Sequence, residues 1–403
     1  MFSRRRRRST THHRAMRSRG GFALMMAMGA LVIIAVLVAG SSYIQLQESR
    51  LGQNSLVQSR AFAAAEYGLN KIQADWDRTP NLQMENGASF DTTYTLEGQG
   101  TCQVRYTRLN NETFWIIATG EAAANSALGK SRTAVKRMGA ILRLRIPSIK
   151  AEGAITTNGD VTVKGAGQVR GENTTPPGWT GCPSSPNKSA LTVGTSASVS
   201  IQKDQNVTGS PQVTKTAVAD DPNTYVKFGD ETWDALVAQA VPPAGKTITD
   251  MADGTPSTNP DGSCNKAATA NYGEPWRTAQ NAGAVTACNN YFPIVYVSNG
   301  DATTTFGSHG GRGQGILLIN GHFRFNAGFE WHGLIITRGN VVKANGHAKI
   351  YGSIMAAAAD PGNDDQDFTG TVDIYYSACS VERAMRGSAQ VLQAKERAWA
   401  EIY

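Results

Sequence analysis

The pattern of apolar and polar positions changes period three times along this chain. From Phe22 to Gln47 no residue is charged, and Phe22 to Gly40 is almost wholly apolar. Through Ile44 the run is 23 residues long, enough at roughly 1.5 Å per residue to span a hydrocarbon layer of about 30 Å. It predicts a membrane segment in which Phe22, Met26, Leu31, Ile34, Leu37 and Ile44 meet lipid or a helical partner. Beyond it Phe62, Ala65, Leu69, Ile72 and Trp76 recur at helical spacing, one stripe that should pack on a following domain. One helix over 22–78 is the simplest reading, stopped near Asp77, Thr79 and Pro80.

Residues 79–147 shift to short β-type runs, the last of which sets Ile141, Leu144 and Ile146 among arginines. They predict a small antiparallel sheet, half buried and half wet, with the helical stripe as its cover. From 148 to 378 the signal is glycine spacing. Gly315, Gly333 and Gly352 open similar apolar runs 18 and 19 residues apart, and Gly153 and Gly171 repeat the interval. A further glycine, at 159, 321 or 339, follows six residues into each full copy. This predicts rungs of a parallel β-helix, each burying its apolar face on the next. A long insertion at about 172–290, rich in Ser, Thr, Pro, Asn and Gly, interrupts the rungs and should be loop apart from a short helix near Glu231 to Ala240. Val381, Ala384, Met385, Ala389, Leu392 and Trp399 predict a C-terminal helix over 379–403, capping the open end of the stack. The fold class is therefore α+β and mainly β.

Charge alters one inference. The chain of 403 residues carries +7, but residues 1–21 hold eight arginines and no acid, which leaves the other 382 at −1. The basic character belongs to a leader, and a nucleic-acid-binding surface loses its support. By the positive-inside rule the leader stays cytoplasmic and everything after the apolar run lies on the far side. A cleaved signal peptide is the rival reading, with Ala39-Gly40-Ser41 as its cleavage site.

Five cysteines, Cys102, Cys182, Cys264, Cys288 and Cys379, lack the spacing of a metal site. In an oxidising compartment Cys264 and Cys288 form the easiest local disulfide, and the odd count leaves one thiol free or intermolecular. Candidate chemistry is sparse. His309, His322, His332 and His347 fall out of register for a metal site and read as surface or corner residues. The acidic loop Asp360 to Asp367 lacks the order of a calcium loop and reads as a solvated turn. Gly310 to Gly315 lacks the Lys-Ser/Thr of a phosphate cradle and reads as a flexible lead into the second block of rungs. Asp160, Glu330, Arg324 and Arg338 stand singly on different rungs, without the paired carboxylates that glycan cleavage requires. No cofactor and no catalysis are expected.

The basic leader ending in Arg19-Gly20-Gly21, the Phe22 start, the apolar helix and the run Ala61-Phe-Ala-Ala-Ala-Glu-Tyr-Gly-Leu69 resemble the type IV pilin-like superfamily, most closely pilus assembly proteins of the PilX N-terminal type. The runs Ala118-Thr119-Gly120 to Thr133 and Tyr376-Ser-Ala-Cys-Ser, with Trp399, also resemble parts of that group. The resemblance implies cleavage and N-methylation by a prepilin peptidase between Gly21 and Phe22, then assembly with other pilins and the pilus machinery at the inner membrane, the head outside the cytoplasm. Major pilins place a glutamate at the fifth mature residue, where this chain has Met26. That implies a minor, non-catalytic subunit that primes assembly or touches a surface or glycan. A K-type pseudopilin of type II secretion and a membrane-anchored carbohydrate-binding or carbohydrate-degrading β-helix remain the alternatives.

Overall fold

A computed structural model describes residues 20–76, 84–98, 100–110, 112–125, 131–240, 256–268, 270–275, 286–300, 305–306, 312–325, 328–344, 347–358, 366–368, 370–393 and 399–402. A single 55-residue helix, α1 (Gly20–Ala74), carries both the apolar run and the stripe. It closes just before Trp76, and the sequence's stop at Asp77, Thr79 and Pro80 lies outside the described residues.

Four strands follow: β1 (Ser89–Leu96), β2 (Gly100–Arg108), β3 (Thr113–Asn125) and β4 (Ser131–Arg145). They pair in sequence order and antiparallel, as short Gly-rich and Asn-rich connections allow. Alternation decides the faces: Phe114, Ile116 and Ala118 of β3 are buried and meet Ala65, Leu69 and Ile72 of α1, together with Val104, Met138, Ala140 and Leu142.

The rest of the chain builds a curled parallel sheet and its narrower companion. Its strands are β5 (Gly153–Thr157), β6 (Val161–Val163), β7 (Val169–Arg170), β8 (Ser189–Val193), β9 (Val199–Ile201), β10 (Val207–Thr208) and β11 (Val213–Lys215). After the hairpin β12 (Lys227–Phe228) and β13 (Glu231–Thr232) come β14 (Ile294–Gly300), β15 (Thr305–Phe306), β16 (Arg312–Gly321), β17 (Phe323–Phe325) and β18 (Glu330–Thr337). β19 (Val341–Ala344), β20 (Ala348–Ala356), β21 (Gln366–Phe368) and β22 (Val372–Tyr376) complete the set. The wide sheet stacks β14, β16, β18 and β20, and the narrow one runs β15, β17, β19, β21, β6, β9. Each passage of the chain thus adds a strand to both, and Gly315, Gly333 and Gly352 stand in one register column.

That column has a steric cause. Gly333 and Gly352 adopt φ of +139° and +150°, and a Cβ on Gly333 would stand 2.1 Å from the Gly315 carbonyl oxygen. Only glycine accepts both the backbone angle and the close approach of the strand before it.

Beyond β20 the stack is made from two distant parts of the chain. The first half of β20 pairs with β22, while its second half pairs with β5, so one rung combines residues 372–376 with 153–157. The next rung combines β7 with β8, and a third combines β10 with β11. The insertion expected at 172–290 is therefore corrected to two excursions, because the chain returns at Ser189 and supplies rung strands through Lys215. Ser189 occupies the place of Gly153, which hid the repeat from glycine spacing.

The C-terminal expectation also changes. The helix covers only Ala378–Gly387 and packs on the faces of β16, β18 and β20 instead of capping an end. The chain then forms β23 (Gln390–Gln393) and β24 (Trp399–Ile402), which pair one after the other along the open edge of β4. Edge pairing outweighs the helical propensity of this Ala-rich, Gln-rich and charged segment, since an uncovered edge leaves a row of unmet backbone groups.

Candidate functional site

Two regions carry functional geometry, the length of α1 and the face of the head beneath the helix Ala378–Gly387. Along α1 burial begins at Val57; from Phe22 to Leu56 the described helix is almost wholly uncovered. Phe22 is 74% exposed, and Met26, Leu31, Ile34, Leu37 and Ile44 are exposed with it. That projection is about 50 Å at 1.5 Å per residue, and it includes a stretch long and apolar enough to cross a membrane. Gly20 and Gly21 are helical in backbone, and the leader residues 1–19 lie outside the described part of the chain.

The docked half explains the Ala-Phe-Ala-Ala-Ala-Glu-Tyr-Gly-Leu run physically. Ala61, Ala64 and Ala65 are fully buried, and Gly68 lies on Cys102 and Val104 of β2. Small residues let the helix backbone approach the sheet at van der Waals distance, which larger side chains would forbid. Phe62 packs beside this core, and Trp76 beyond the helix end meets Phe114 edge-on at 4.8 Å. Glu66 stays exposed. Met26 stands in the projecting half among other uncovered apolar residues, where no described group calls for a charge.

The head holds a column of side chains that the sequence reading missed. Gln314, His332, Tyr351, Tyr375 and Arg170 are register partners on successive strands. His332 is 1% exposed and lies between Trp179 at 5.5 Å and Tyr351 at 4.9 Å; Tyr375 and Arg170 extend the stack. This corrects the surface reading of His332, whose Nε2 sits 3.0 Å from Glu330 Oε1. Burial pushes the Tyr351 hydroxyl up to about 12. The signal was the 18-residue and 19-residue interval itself, since any repeat that aligns glycines aligns the residues beside them. Trp179 comes from a loop that periodicity cannot place. His347 is exposed, His322 is half-buried, and His309 lies outside the described residues.

Disulfides join Cys264 to Cys288 and Cys182 to Cys379, leaving Cys102 as the buried thiol. The second bond ties the loop containing Trp179 to the helix Ala378–Gly387. Beside it Trp179, Phe292 and Cys379 form a small apolar cluster, and Arg383 lies 4.5 Å over the Trp179 ring. A cleft of about 900 Å³ opens here, lined by Thr286, Asn289 and both charge signs, Glu85 and Glu382 with Arg383 and Arg386, among others.

The carboxylates and arginines considered for catalysis are not brought together. Asp160 accepts the Ser198 amide at 2.6 Å ahead of β6, whereas Glu330 serves His332. Arg338 lies over Trp233, and Arg324 is on β17 in the narrow sheet. Among the described residues no group of three His, Cys, Asp or Glu could hold a metal ion. Of the acidic loop only Gln366 and Asp367 are described, both in β21, and Arg312 to Gly315 belong to β16 rather than to a flexible lead.

No known family matches this chain, and no curated protein does. Among solved structures it is similar to the competence-associated pilin ComZ from Thermus thermophilus, at 13% identity and a TM-score of 0.26, covering 86% of this chain and 97% of that one.

Proposed function

We propose that this protein is a non-catalytic minor pilin-like subunit of the PilX N-terminal type, stored in the inner membrane and assembled through α1. The observation that carries the reading is the division of α1 at Val57: an uncovered apolar half of membrane length continues without a break into a half locked onto an antiparallel sheet. A helix of that kind can leave lipid for a bundle of similar helices while its head remains folded. The arginine leader holds the N-terminus in the cytoplasm until a prepilin peptidase cuts between Gly21 and Phe22. Met26 in place of the glutamate of bulk subunits favours a tip or priming position. Other pilins and the assembly machinery are the partners, and the head is presented outside the cytoplasm.

Mass spectrometry of the membrane fraction tests the first step. The parent should yield a mature chain beginning at Phe22, and Gly21→Lys should accumulate the uncut form. An N-terminus at or near Ser41 in both would replace this reading with a secreted one. A deletion strain should lose piliation, and loss of type II secretion instead would move the protein to a pseudopilin role.

A further inference from the structure

The last rung of the parallel stack carries an acceptor tripeptide in an exposed turn. Asn-x-Ser/Thr, with x other than proline, is the acceptor pattern of N-glycosylation, and it occurs at Asn111, Asn173, Asn187 and Asn206. The fold separates the four. Asn111 lies outside the described residues. The Asn173 side chain accepts the Ala378 amide at 2.9 Å, and the Asn187 side chain accepts the Asn173 amide at 3.1 Å, so both hold the loop that Cys182–Cys379 closes. Asn206 makes one long contact, from Nδ2 to the Gly165 carbonyl at 3.4 Å. An amide nitrogen has two N–H groups, so one can be replaced while the other keeps Gly165.

The turn is also within reach of an enzyme. Asp204–Asn206 is a single 3₁₀ turn between β9 and β10 that buries none of its residues, and residues 202–205 are exposed. β10 is two residues long and, among the described strands, pairs with β7 alone. Thr208, the hydroxyl residue of the tripeptide, is held by Glu172 at 2.9 Å. A short strand with one neighbour opens at low cost, which offers Asn206 and the Thr208 hydroxyl together. Of the four asparagines only Asn206 has an acid two residues before it, Asp204, the further determinant that bacterial oligosaccharyltransferases read.

The position gives such a modification a purpose. β9, β10 and β11 form the last rung, each with one partner among the described strands, and Val199, Ile201 and Val213 on it are only partly buried. A bare strand edge invites pairing with another chain. An oligosaccharide at the corner between β9 and β10 covers that edge with hydrated bulk.

We infer that Asn206 is N-glycosylated outside the cytoplasm, by transfer of an oligosaccharide from a polyprenyl-pyrophosphate carrier. Asn206 Nδ2 attacks C1 of the first sugar. The Nδ2–C1 bond forms, the bond from C1 to the pyrophosphate oxygen breaks, the lipid pyrophosphate leaves with the electron pair, and Nδ2 gives one proton to a carboxylate of the transferase. The inference rests on the reading that the head faces away from the cytoplasm.

The test is mass spectrometry of tryptic peptide 204–215 from the full-length chain purified from its native membrane. Protease treatment of spheroplasts reports in parallel which side the head occupies. The peptide should be heavier by an oligosaccharide attached at Asn206. Asn206→Gln and Thr208→Val should each abolish the added mass, Asp204→Asn should lower its occupancy severalfold, and Thr208→Ser should keep it, in chains that unfold like the parent. An unmodified peptide from a head that protease digests would overturn the inference alone, and an unmodified peptide from a protected head would overturn the topology with it. Sugar on a hydroxyl of the same peptide, retained by Asn206→Gln, would also overturn the inference.

Discussion

Gly120 of β3 lies so close to Ala61 of α1 that a Cβ added to it would stand 2.1 Å from the Ala61 carbonyl oxygen. The same Cβ would come within 2.5 Å of the Ala65 amide nitrogen, so the contact is with helix backbone, which cannot swing aside. Gly120→Val should therefore lift α1 from the sheet and cost about 3 kcal/mol, read as a loss in thermal unfolding of the purified chain. Gly52→Ala is the matched control: a Cβ there meets nothing within 4 Å, and the change should be neutral or add up to about 1 kcal/mol through helix propensity. Equal effects of the two would show that the helix is not docked as described.

The contrast also shows what the chain reveals unaided. The stripe from Phe62 to Trp76 was legible because burial on one helix face leaves a 3.6-residue period, and the rungs at 315, 333 and 352 because a positive φ demands glycine. The rung at Ser189 was not legible, since its φ imposes no residue type and its strand is short. β23 and β24 were hidden for a different reason: a strand that forms by covering the edge of β4 is specified by its partner rather than by its own sequence. In the head site, Arg383 lay on a recognisable helical pattern, but nothing local could bring Trp179 and Asn289 to it.

Gly333 provides a second test of backbone geometry. Its φ of +139° and the Gly315 oxygen at 2.1 Å from a built Cβ oppose any side chain twice over. Gly333→Ala should cost about 3 kcal/mol or more, whereas Gly262→Ala, with a positive φ but nothing within 4 Å, should show only the backbone penalty of about 1 kcal/mol. Chemical denaturation of both variants gives the comparison.

The two disulfides should differ in worth. Cys182–Cys379 closes a separation of 197 residues and Cys264–Cys288 one of 24. In the chain-entropy description the longer loop stabilises the fold by about 2 kcal/mol more. Denaturation of the two paired Cys→Ala variants should show the Cys182/Cys379 pair as the more costly, with faster proteolysis near Trp179. The reverse order would mean that the 172–188 loop is held by its packing alone.

The junction between sheet and head depends on a buried charge. Arg145 at the end of β4 stands 2.9 Å from Glu231, which is 2% exposed, and the Ser148 amide donates to the Phe228 carbonyl beside it. Arg145→Ala would leave the Glu231 carboxylate buried without its partner, at an expected cost of about 3 kcal/mol. Replacing both, Arg145→Met with Glu231→Leu, should recover most of that loss, since the desolvation penalty disappears with the charge. A double variant no more stable than the single would show that the pair itself, and not the stranded carboxylate, holds the junction.

Cys102 sets a pH dependence whose sign is fixed. Buried under Gly68, its thiol is pushed up to about 11 from an ordinary value of 9.0. Between those values the unfolded chain has lost the proton and the folded chain has kept it, so stability falls as pH rises from 9 toward 11. Burial also raises Tyr351 to about 12 and shifts Tyr94, Tyr225, Tyr375 and Tyr376 upward from 10.0, which adds a slope of the same sign that sets in from about pH 9 and grows above it. The difference in slope between the parent and Cys102→Ala therefore isolates the thiol. From about pH 9 to 10 the parent should lose stability more steeply than Cys102→Ala, which keeps only the tyrosine slope. Iodoacetamide at about pH 8.5 should leave Cys102 unmodified in the folded chain and label it in urea. Rapid labelling without denaturant would mean that α1 lifts from β2 in the native state, and that the docked half is looser than its packing implies.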